Sequence, residues 1–425
     1  MSNPLPAARS IFTISRLEKI ARETRLVVRK SAKFNPSNFL LSLLKSVCSG
    51  HASFNQLAIT LARQGAPAIS KQALFKRFNT RTVSFLLQLI HDLLTTHCAP
   101  VCGPFQKAGF NRLLVEDSST LRMPKTNARD FPAHGNASGA TAGVKCDLCY
   151  DLLSQKPVSF GLHGATDQDR TIGKDVLALA RAKDLVMRDM GYFDLSEFAY
   201  LESIGAFWFT RLPLGVNLVS TEGKPLEDLL ENATGSQIEL PVLVGAKAHP
   251  CRLVAVRADP KTVEKRRRER HQAARRVGKT APRKALLRDG WHLMLTNIPA
   301  EKISVEALAE LYRARWAIEI QFRAWKQSTH IEAALNRRSN ADHLESLVCA
   351  SMIVALLGLR QMSIYARKMG LESLSPEKLM DWLVQEITSE EKLECLAKKP
   401  PAWKHIKRET RNRQSTIATG IRALS

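Results

Sequence analysis

The sequence predicts a mixed α/β fold: a mixed sheet with helices on its faces, followed by a less regular, partly strand-rich stretch and flanked by helical regions at both ends. Three observations predict it. Residues 1–108 carry apolar side chains at three- and four-residue spacing. From about 109 the texture changes to short runs ordered strand, strand pair, helix, strand, helix, strand, the order of a mixed sheet covered by helices. Regularity then lapses over 213–300 and returns in an amphipathic run over 305–328. With 425 residues, 44% of them apolar, the chain is long enough for two or three cores.

In the first region the periodic segments are 38–47, 54–64, 70–78 and 83–97. Gly65-Ala66-Pro67 breaks the second, and Ser70 is placed to cap the third, which carries Lys71, Gln72, Lys76 and Arg77. This is the layout of a helix-turn-helix over 54–80 whose second helix offers these four side chains to a DNA groove. An ordinary helical hairpin with a solvated basic face fits the pattern equally.

Residues 112–116 (RLLVE) predict a short strand ending in a polar turn, Asp117-Ser118-Ser119-Thr120. A strand pair over 143–153 and 157–163 follows, then a helix over 172–184, a strand over 185–187, a helix over 195–204 and a strand over 206–212. In the less regular stretch, 238–258 is strand-rich, and 261–288 packs twelve Lys and Arg against two Glu, including Lys265-Arg266-Arg267-Arg268. A solvated helix or mobile loop accounts for such runs in general; the density here favours a phosphate-facing role for Arg266, Arg267 and Arg268. A strand over 290–297 ends at Pro299, and a helical tail closes in a basic segment with Lys398, Lys399, Lys404, Lys407, Arg408, Arg411 and Arg413.

Sixty-three Lys and Arg against 40 Asp and Glu leave a formal charge of +23. Such a field attracts polyanions, nucleic acid first, with an anionic membrane surface as the rival. No uninterrupted apolar run of about 18 residues and no signal-peptide pattern stand out, which predicts a cytoplasmic protein. The eight cysteines form no disulfide framework. Cys146-x-x-Cys149 lacks a second pair and lies on a strand pattern, while His91, His97, Cys98 and Cys102 accompany an apolar helix. Both groups read as packed residues in preference to zinc ligands.

Tyr312, Arg315, Glu319 and Lys326 lie at offsets of 3, 7 and 14 in LYRARWAIEIQFRAWK, so a continuous helix puts all four on one stripe. A carboxylate between two cations is usually a structural ion pair. Phosphodiester chemistry gives the arrangement another use: the carboxylate holds a divalent metal and the cations bind phosphate oxygens. Asp117, after the 112–116 strand, and Asp189, after the 185–187 strand, are the natural companion ligands. Neighbouring Glu116 falls on the opposite face by strand alternation, and Gly191 permits a tight turn after Asp189. Two Asp and one Glu suit Mg²⁺ or Mn²⁺, with two ions sharing the site.

Tyr312-x2-Arg315-x3-Glu319-x6-Lys326 resembles the Y-R-E-K signature of the insertion-sequence-4 family of bacterial DDE transposases. Asp117-Ser118-Ser119 and Asp189-x-Gly191-Tyr192-Phe193 are similar to that family's two aspartate segments, and Leu295-Thr296-Asn297-Ile298-Pro299 to the strand before its glutamate helix. The resemblance implies an RNase H-like (retroviral integrase-like) core divided as 1–108 DNA-binding, 109–212 first core part, 213–300 β-rich insertion, 301–340 glutamate helix and 341–425 helical tail. It implies catalysis and metal binding by Asp117, Asp189 and Glu319, and DNA contacts by Tyr312, Arg315 and Lys326. Trp291, or His292 beside it, would trap a flipped base, unless Trp291 is a core tryptophan. The implied activity is cut-and-paste transposition: hydrolysis at the transposon end, then attack of the freed 3′-OH on target DNA. The partners would be terminal inverted repeats, target DNA and a second copy of the chain in a synaptic complex. Neither a membrane nor a small-molecule substrate is implied, and the setting would be the bacterial cytoplasm, at the nucleoid. A nuclease or resolvase without strand transfer, or an inactive DNA-binding regulator, are the competing readings; a membrane-surface protein leaves the carboxylate spacing unexplained.

Overall fold

Short polar side chains set the helix starts in the first region. The computed structural model describes residues 12–29, 34–95, 109–136, 139–369, 374–393 and 403–407. His97, Cys98, Cys102, Lys398, Lys399, Arg408, Arg411 and Arg413 lie outside the described residues, as does the side chain of Lys404. Helices α1 (Ile14–Glu23), α2 (Pro36–Cys48), α3 (Phe54–Arg63) and α4 (Lys71–Arg77) are capped by the side chains of Thr13, Asn35, Ser53 and Ser70. Each cap accepts from amides that the first helical turn leaves open. Gly65, at φ +75°, supports the turn between α3 and α4, and α5 (Thr80–Thr95) follows.

Strands β1 (Leu113–Met123), β2 (Pro132–Asn136), β3 (Gly139–Asp151) and β4 (Lys156–Gly164) come next. β1 runs straight through Asp117-Ser118-Ser119-Thr120, so the turn expected there does not form. Pairing with β3 overrides the weak strand preference of Asp and Ser, and a Cβ on Gly143 would stand 2.8 Å from the Leu121 carbonyl oxygen. The single helix expected over 172–184 is two short ones, α6 (Asp169–Ile172) and α7 (Lys174–Leu179). They part at Gly173, where a Cβ would lie 2.7 Å from the Tyr192 ring.

Next come β5 (Leu185–Arg188), α8 (Leu195–Ser203), β6 (Phe207–Arg211), β7 (Leu218–Ser220) and α9 (Leu226–Glu231). β8 (Gln237–Val244), β9 (His249–Arg257), α10 (Pro260–Arg276), α11 (Arg283–Arg288) and β10 (Trp291–Thr296) complete the middle of the chain. In place of one long helix there are two, α12 (Val305–Ala314) and α13 (Trp316–Ser328). The Arg315 amide bonds the Tyr312 carbonyl at 3.2 Å, a three-residue closure that interrupts the four-residue ladder. The last helices are α14 (Ile331–Leu335), α15 (Ala341–Met369), α16 (Pro376–Ser389) and α17 (Trp403–Ile406).

These elements form two compact units. One comprises 1–102, 117–167 and 317–415; the other comprises 103–116, 168–316 and 416–425. In the first unit α15 is the central helix, packed by α5, α2 and α16 and against β4. Its Ala341–Ala366 stretch, with mean hydropathy 1.8, is long and apolar enough to cross a membrane, which corrects the expectation that no such stretch exists. An 18-residue window of that stretch is 94% buried in the fold, and a helix surrounded by other elements is apolar on every side for that reason. β3 pairs antiparallel with both β2 and β4 in the same unit.

In the second unit the start of β1, β5 and β6 run parallel. β6 then pairs antiparallel with β10, which continues through β9 and β8 to β7. The sheet is therefore mixed, and the insertion extends it rather than standing apart. Thr296 and Asn297 lock β10 to β6: the Thr296 hydroxyl donates to the Trp208 carbonyl at 2.6 Å, and Asn297 accepts from the Trp208 amide at 2.8 Å.

His343 on α15 lies between the rings of Phe54 and Phe78, with centroids 4.3 and 4.6 Å away, and Ser339 contacts its Nδ1 at 2.7 Å. Burial first, and Arg337 second, hold its imidazole down to about 3. The unfolded chain takes that proton near 6.5, so stability present above that pH is lost on acidification, by about 1.4 kcal/mol per unit until the folded value is reached. Urea unfolding between pH 7 and 4.5 should show a shallower loss for His343→Phe than for the parent chain; identical slopes would contradict this role.

Candidate active site

The candidate site grows from a buried register pair. β1 and β5 align Leu113↔Leu185, Leu114↔Val186 and Val115↔Met187, all buried and apolar, as parallel strands covered on both faces require. The ladder then ends on Glu116↔Arg188, also buried. Arg188 meets Glu116 at 2.5 Å through Nε, donates to Glu197 at 2.6 Å through Nη1 and to the Gly173 carbonyl at 2.5 Å through Nη2. Burial raises the Glu197 carboxyl above its usual range, against the pull of Arg188. Charges this deep persist only as a mutually paired set.

An aspartate follows each buried partner, Asp117 within β1 and Asp189 just past the end of β5. Alternation turns each away from the buried partner that precedes it, and both are half-buried. Asp189 opens the short 3-10 turn Met190–Tyr192. Gly191 in that turn is required for space rather than for an unusual backbone: a Cβ would sit 2.8 Å from a carboxylate oxygen of Asp169.

In the second unit the Tyr312 hydroxyl donates to Asp189 at 3.5 Å, while its ring meets Phe209 edge-on at 5.5 Å. Burial, with Asp189 adding and Arg315 opposing, pushes the phenol up to about 12. It therefore stays protonated and remains a donor. The buried Arg315 guanidinium lies 5.7 Å from the Tyr312 ring centre. In the first unit, α13 carries the half-buried Glu319 and Lys326, and Lys326 donates to the Thr120 carbonyl at 2.7 Å. Burial lowers the Lys326 ammonium below its ordinary value. Phe322 and Trp325 bury the inner face of α13, with the Trp325 indole donating to the Ser351 carbonyl at 3.0 Å. Trp316, at the helix start, is 55% exposed.

The four-residue stripe is thus divided between two helices: Tyr312 and Arg315 count with one unit, Glu319 and Lys326 with the other. Asp117 belongs with Glu319, and Asp189 with Tyr312. Among the described residues no group of three or more His, Cys, Asp or Glu side chains forms a ready metal cluster. Compatibility with a divalent cation lies in the donors themselves, three half-buried carboxylates of the hard-oxygen kind that Mg²⁺ and Mn²⁺ take.

Elsewhere, Lys71, Gln72 and Lys76 are exposed on α4, while Arg77 is half-buried with its guanidinium 3.8 Å from the Phe34 ring centre. Arg266 turns inward, bonding the carbonyls of Asp289 and Trp291 at 3.2 and 3.1 Å and His292 Nδ1 at 3.1 Å. It ties α10 to β10, whereas Arg267 and Arg268 are exposed. Trp291 is 3% exposed with Arg257 4.4 Å above its ring, so it is packed as a core tryptophan. His292 is held down to about 4 by burial and then by Arg266, Arg211 and Arg313. Cys146 and Cys149 are buried free thiols three residues apart on β3, hence on opposite faces.

Sequence reasoning missed Arg188 and Glu197. The signal was there: each aspartate follows a charged residue that closes an apolar strand, Glu116 in one case and Arg188 in the other.

The transposase DDE domain matches residues 108–355. The transposase for insertion sequence element IS231E of Bacillus thuringiensis subsp. finitimus is 26% identical, over 81% of this chain and 77% of its own length. That for IS231F of Bacillus thuringiensis subsp. israelensis is 29% identical, over 74% and 71%. Among solved structures, the piggyBac transposase synaptic complex with hairpin DNA gives a TM-score of 0.48 at 13% identity, over 92% of this chain and 80% of that one.

Replacing Arg188 by Met strands two buried carboxylates and is expected to cost about 3–5 kcal/mol in urea unfolding. Changing Glu116 and Glu197 to Gln in the same chain should recover part of that loss. A single-variant cost under about 1 kcal/mol would show that the triad does not hold the strands.

Proposed function

Since this chain belongs to the transposase DDE domain family, we propose that it moves an insertion sequence of the insertion-sequence-4 type by cut-and-paste, with Asp117, Asp189 and Glu319 as catalytic metal ligands. Members of the family are enzymes that depend on a divalent metal to cleave DNA and transfer strands. The observation that carries the site is the shared pattern of β1 and β5: a buried register pair, Glu116↔Arg188, each member followed by an aspartate. Mg²⁺ or Mn²⁺ is the expected cofactor, as two ions. Such ions activate the attacking oxygen and stabilise the leaving one.

The chain's own groups supply orientation and charge. The neutral phenol of Tyr312 donates to Asp189 and so fixes the direction of that carboxylate. Arg315 and Lys326 offer cations to the phosphates of the transposon end. Water attacks the end phosphodiester in line, the new 3′-OH then attacks a target phosphodiester, and a target 3′-OH leaves. Neither step needs a covalent link to the protein, so no Ser or Tyr nucleophile is invoked. Lys71, Gln72, Lys76 and Arg77 in the 1–108 region, with Arg267 and Arg268 of the 213–300 insertion, hold the DNA by its grooves and phosphates. Two copies of the chain synapse the two ends at the nucleoid.

The test is a strand-transfer assay with Mg²⁺, the full chain, duplexes carrying the element's two ends and a target plasmid. Joined product is expected, and Asp189→Asn should abolish it while leaving duplex binding intact. Cleavage without joining would identify a nuclease instead, and undiminished joining by Asp189→Asn would remove that residue from the site. Tyr312→Phe keeps the packing on Phe209 but loses one donor. It should slow cleavage by up to about tenfold with stability changed by less than about 1.5 kcal/mol; a parental cleavage rate would contradict the orienting role.

A further inference from the structure

A second charged recess lies wholly within the first unit, on the helical N-terminal region. It is a cavity of ≈ 390 Å³ lined by Arg25, Arg29, Lys76, Arg77 and Arg81 around the ring of Phe34, with no acidic side chain among the described residues of its wall. Three separate pieces of chain bring these cations together. Arg25 sits after α1 in the left-handed region, φ +57°, where its amide bonds the Arg22 carbonyl at 3.0 Å and closes the helix. Lys76 and Arg77 end α4, and Arg81 begins α5. Asn79 builds the corner between them: its amide nitrogen donates to the Lys76 carbonyl at 3.0 Å, and its oxygen accepts from the Arg81 amide at 3.0 Å. Thr82 adds a bond to the Arg77 carbonyl at 2.6 Å.

Among the described residues none of the five cations is in an ion pair. Arg77 is half-buried, with the Phe34 ring centre 3.8 Å from its guanidinium. Like charges held around one recess without a counter-charge repel one another, and an anion relieves that repulsion. We propose that this cavity is a phosphate clamp for the DNA backbone, in which Arg25, Arg29 and Arg81 join Lys76 and Arg77 in holding one or two phosphodiesters. The inference rests on the chain being a DNA-binding enzyme and gives its N-terminal region a specific anchoring point. Duplex DNA is the occupant that fits, because Lys76 and Arg77 belong both to the cavity and to α4, whose exposed residues include Lys71 and Gln72. Backbone contacts of this kind set the register of a helix on the duplex and carry no sequence information of their own.

The test is fluorescence anisotropy of the full chain with a labelled mixed-sequence duplex of about 30 base pairs, over a range of salt concentrations. Arg25 and Arg81 are exposed, so the double variant Arg25→Gln/Arg81→Gln is expected to fold and to melt like the parent. Its plot of log affinity against log salt should be shallower by about 2, with binding weaker by about 10- to 100-fold at moderate salt. Lys19→Gln/Arg22→Gln removes two exposed charges from α1 outside the cavity and should leave the slope near the parent's. Equal losses in both double variants would overturn the clamp in favour of a diffuse field. Parental binding by the cavity variant would overturn the clamp alone, whereas a parent chain without salt-dependent duplex binding would overturn the proposed function as well.

Discussion

A single guanidinium, that of Arg188, occupies the position on which the rest of the candidate site depends. It is buried where β5 stops, in an ion pair with Glu116 on β1, and it donates to Glu197 on α8 and to the carbonyl of Gly173 between α6 and α7. Water is excluded there, so every one of these partners is needed to offset the desolvation of the others. The consequence is positional. β1 cannot slip by one residue against β5 without separating Glu116 from Arg188, and a slip of one would also turn each following aspartate to the wrong face. The triad contributes less to stability than apolar replacements of the same shape can, but it fixes the register.

A similar economy operates where the insertion rejoins the sheet. Thr296 and Asn297 close β10 onto β6 with side-chain bonds to the backbone of Trp208 and Ala206, which sets the point from which α12 departs. Arg266 binds α10 to the edge of β10 through two carbonyls, so part of the basic run is architectural. Its exposed neighbours Arg267 and Arg268 remain with the solvent-facing charge. Positive charge in this chain thus serves both to tie elements together and to build a field.

Much of the fold was legible in the sequence because it rests on local signals. Ser53 and Ser70 mark helix starts by capping chemistry that works within three residues, and the apolar runs of β5, β6 and β10 are plain in single strands. What was not legible depends on contacts distant in sequence. Nothing local says that Asp117-Ser118-Ser119-Thr120 stays extended, since the partner strand β3 begins at Gly139, well beyond the segment, and meets it only in the folded chain. The break at Gly173 needs the Tyr192 ring, and the break at Arg315 leaves the helical repeat of the stripe almost unchanged, so periodicity cannot detect it. For the site, the motif residues were readable one by one, and so was the charged residue closing each apolar strand; the pairing of Arg188 with Glu116 and Glu197 was not, because a buried charge's partners meet only in the fold.

The proposed function requires Asp117, Asp189 and Glu319 to act on the same divalent ions. The most direct measurement is a Mn²⁺ titration of the full chain in complex with end-containing duplex DNA, followed by electron paramagnetic resonance. The account predicts that Asp117→Asn, Asp189→Asn and Glu319→Gln each weaken Mn²⁺ binding, and that any double variant adds little to the worse single one. Undiminished Mn²⁺ binding by any one of the three would contradict it.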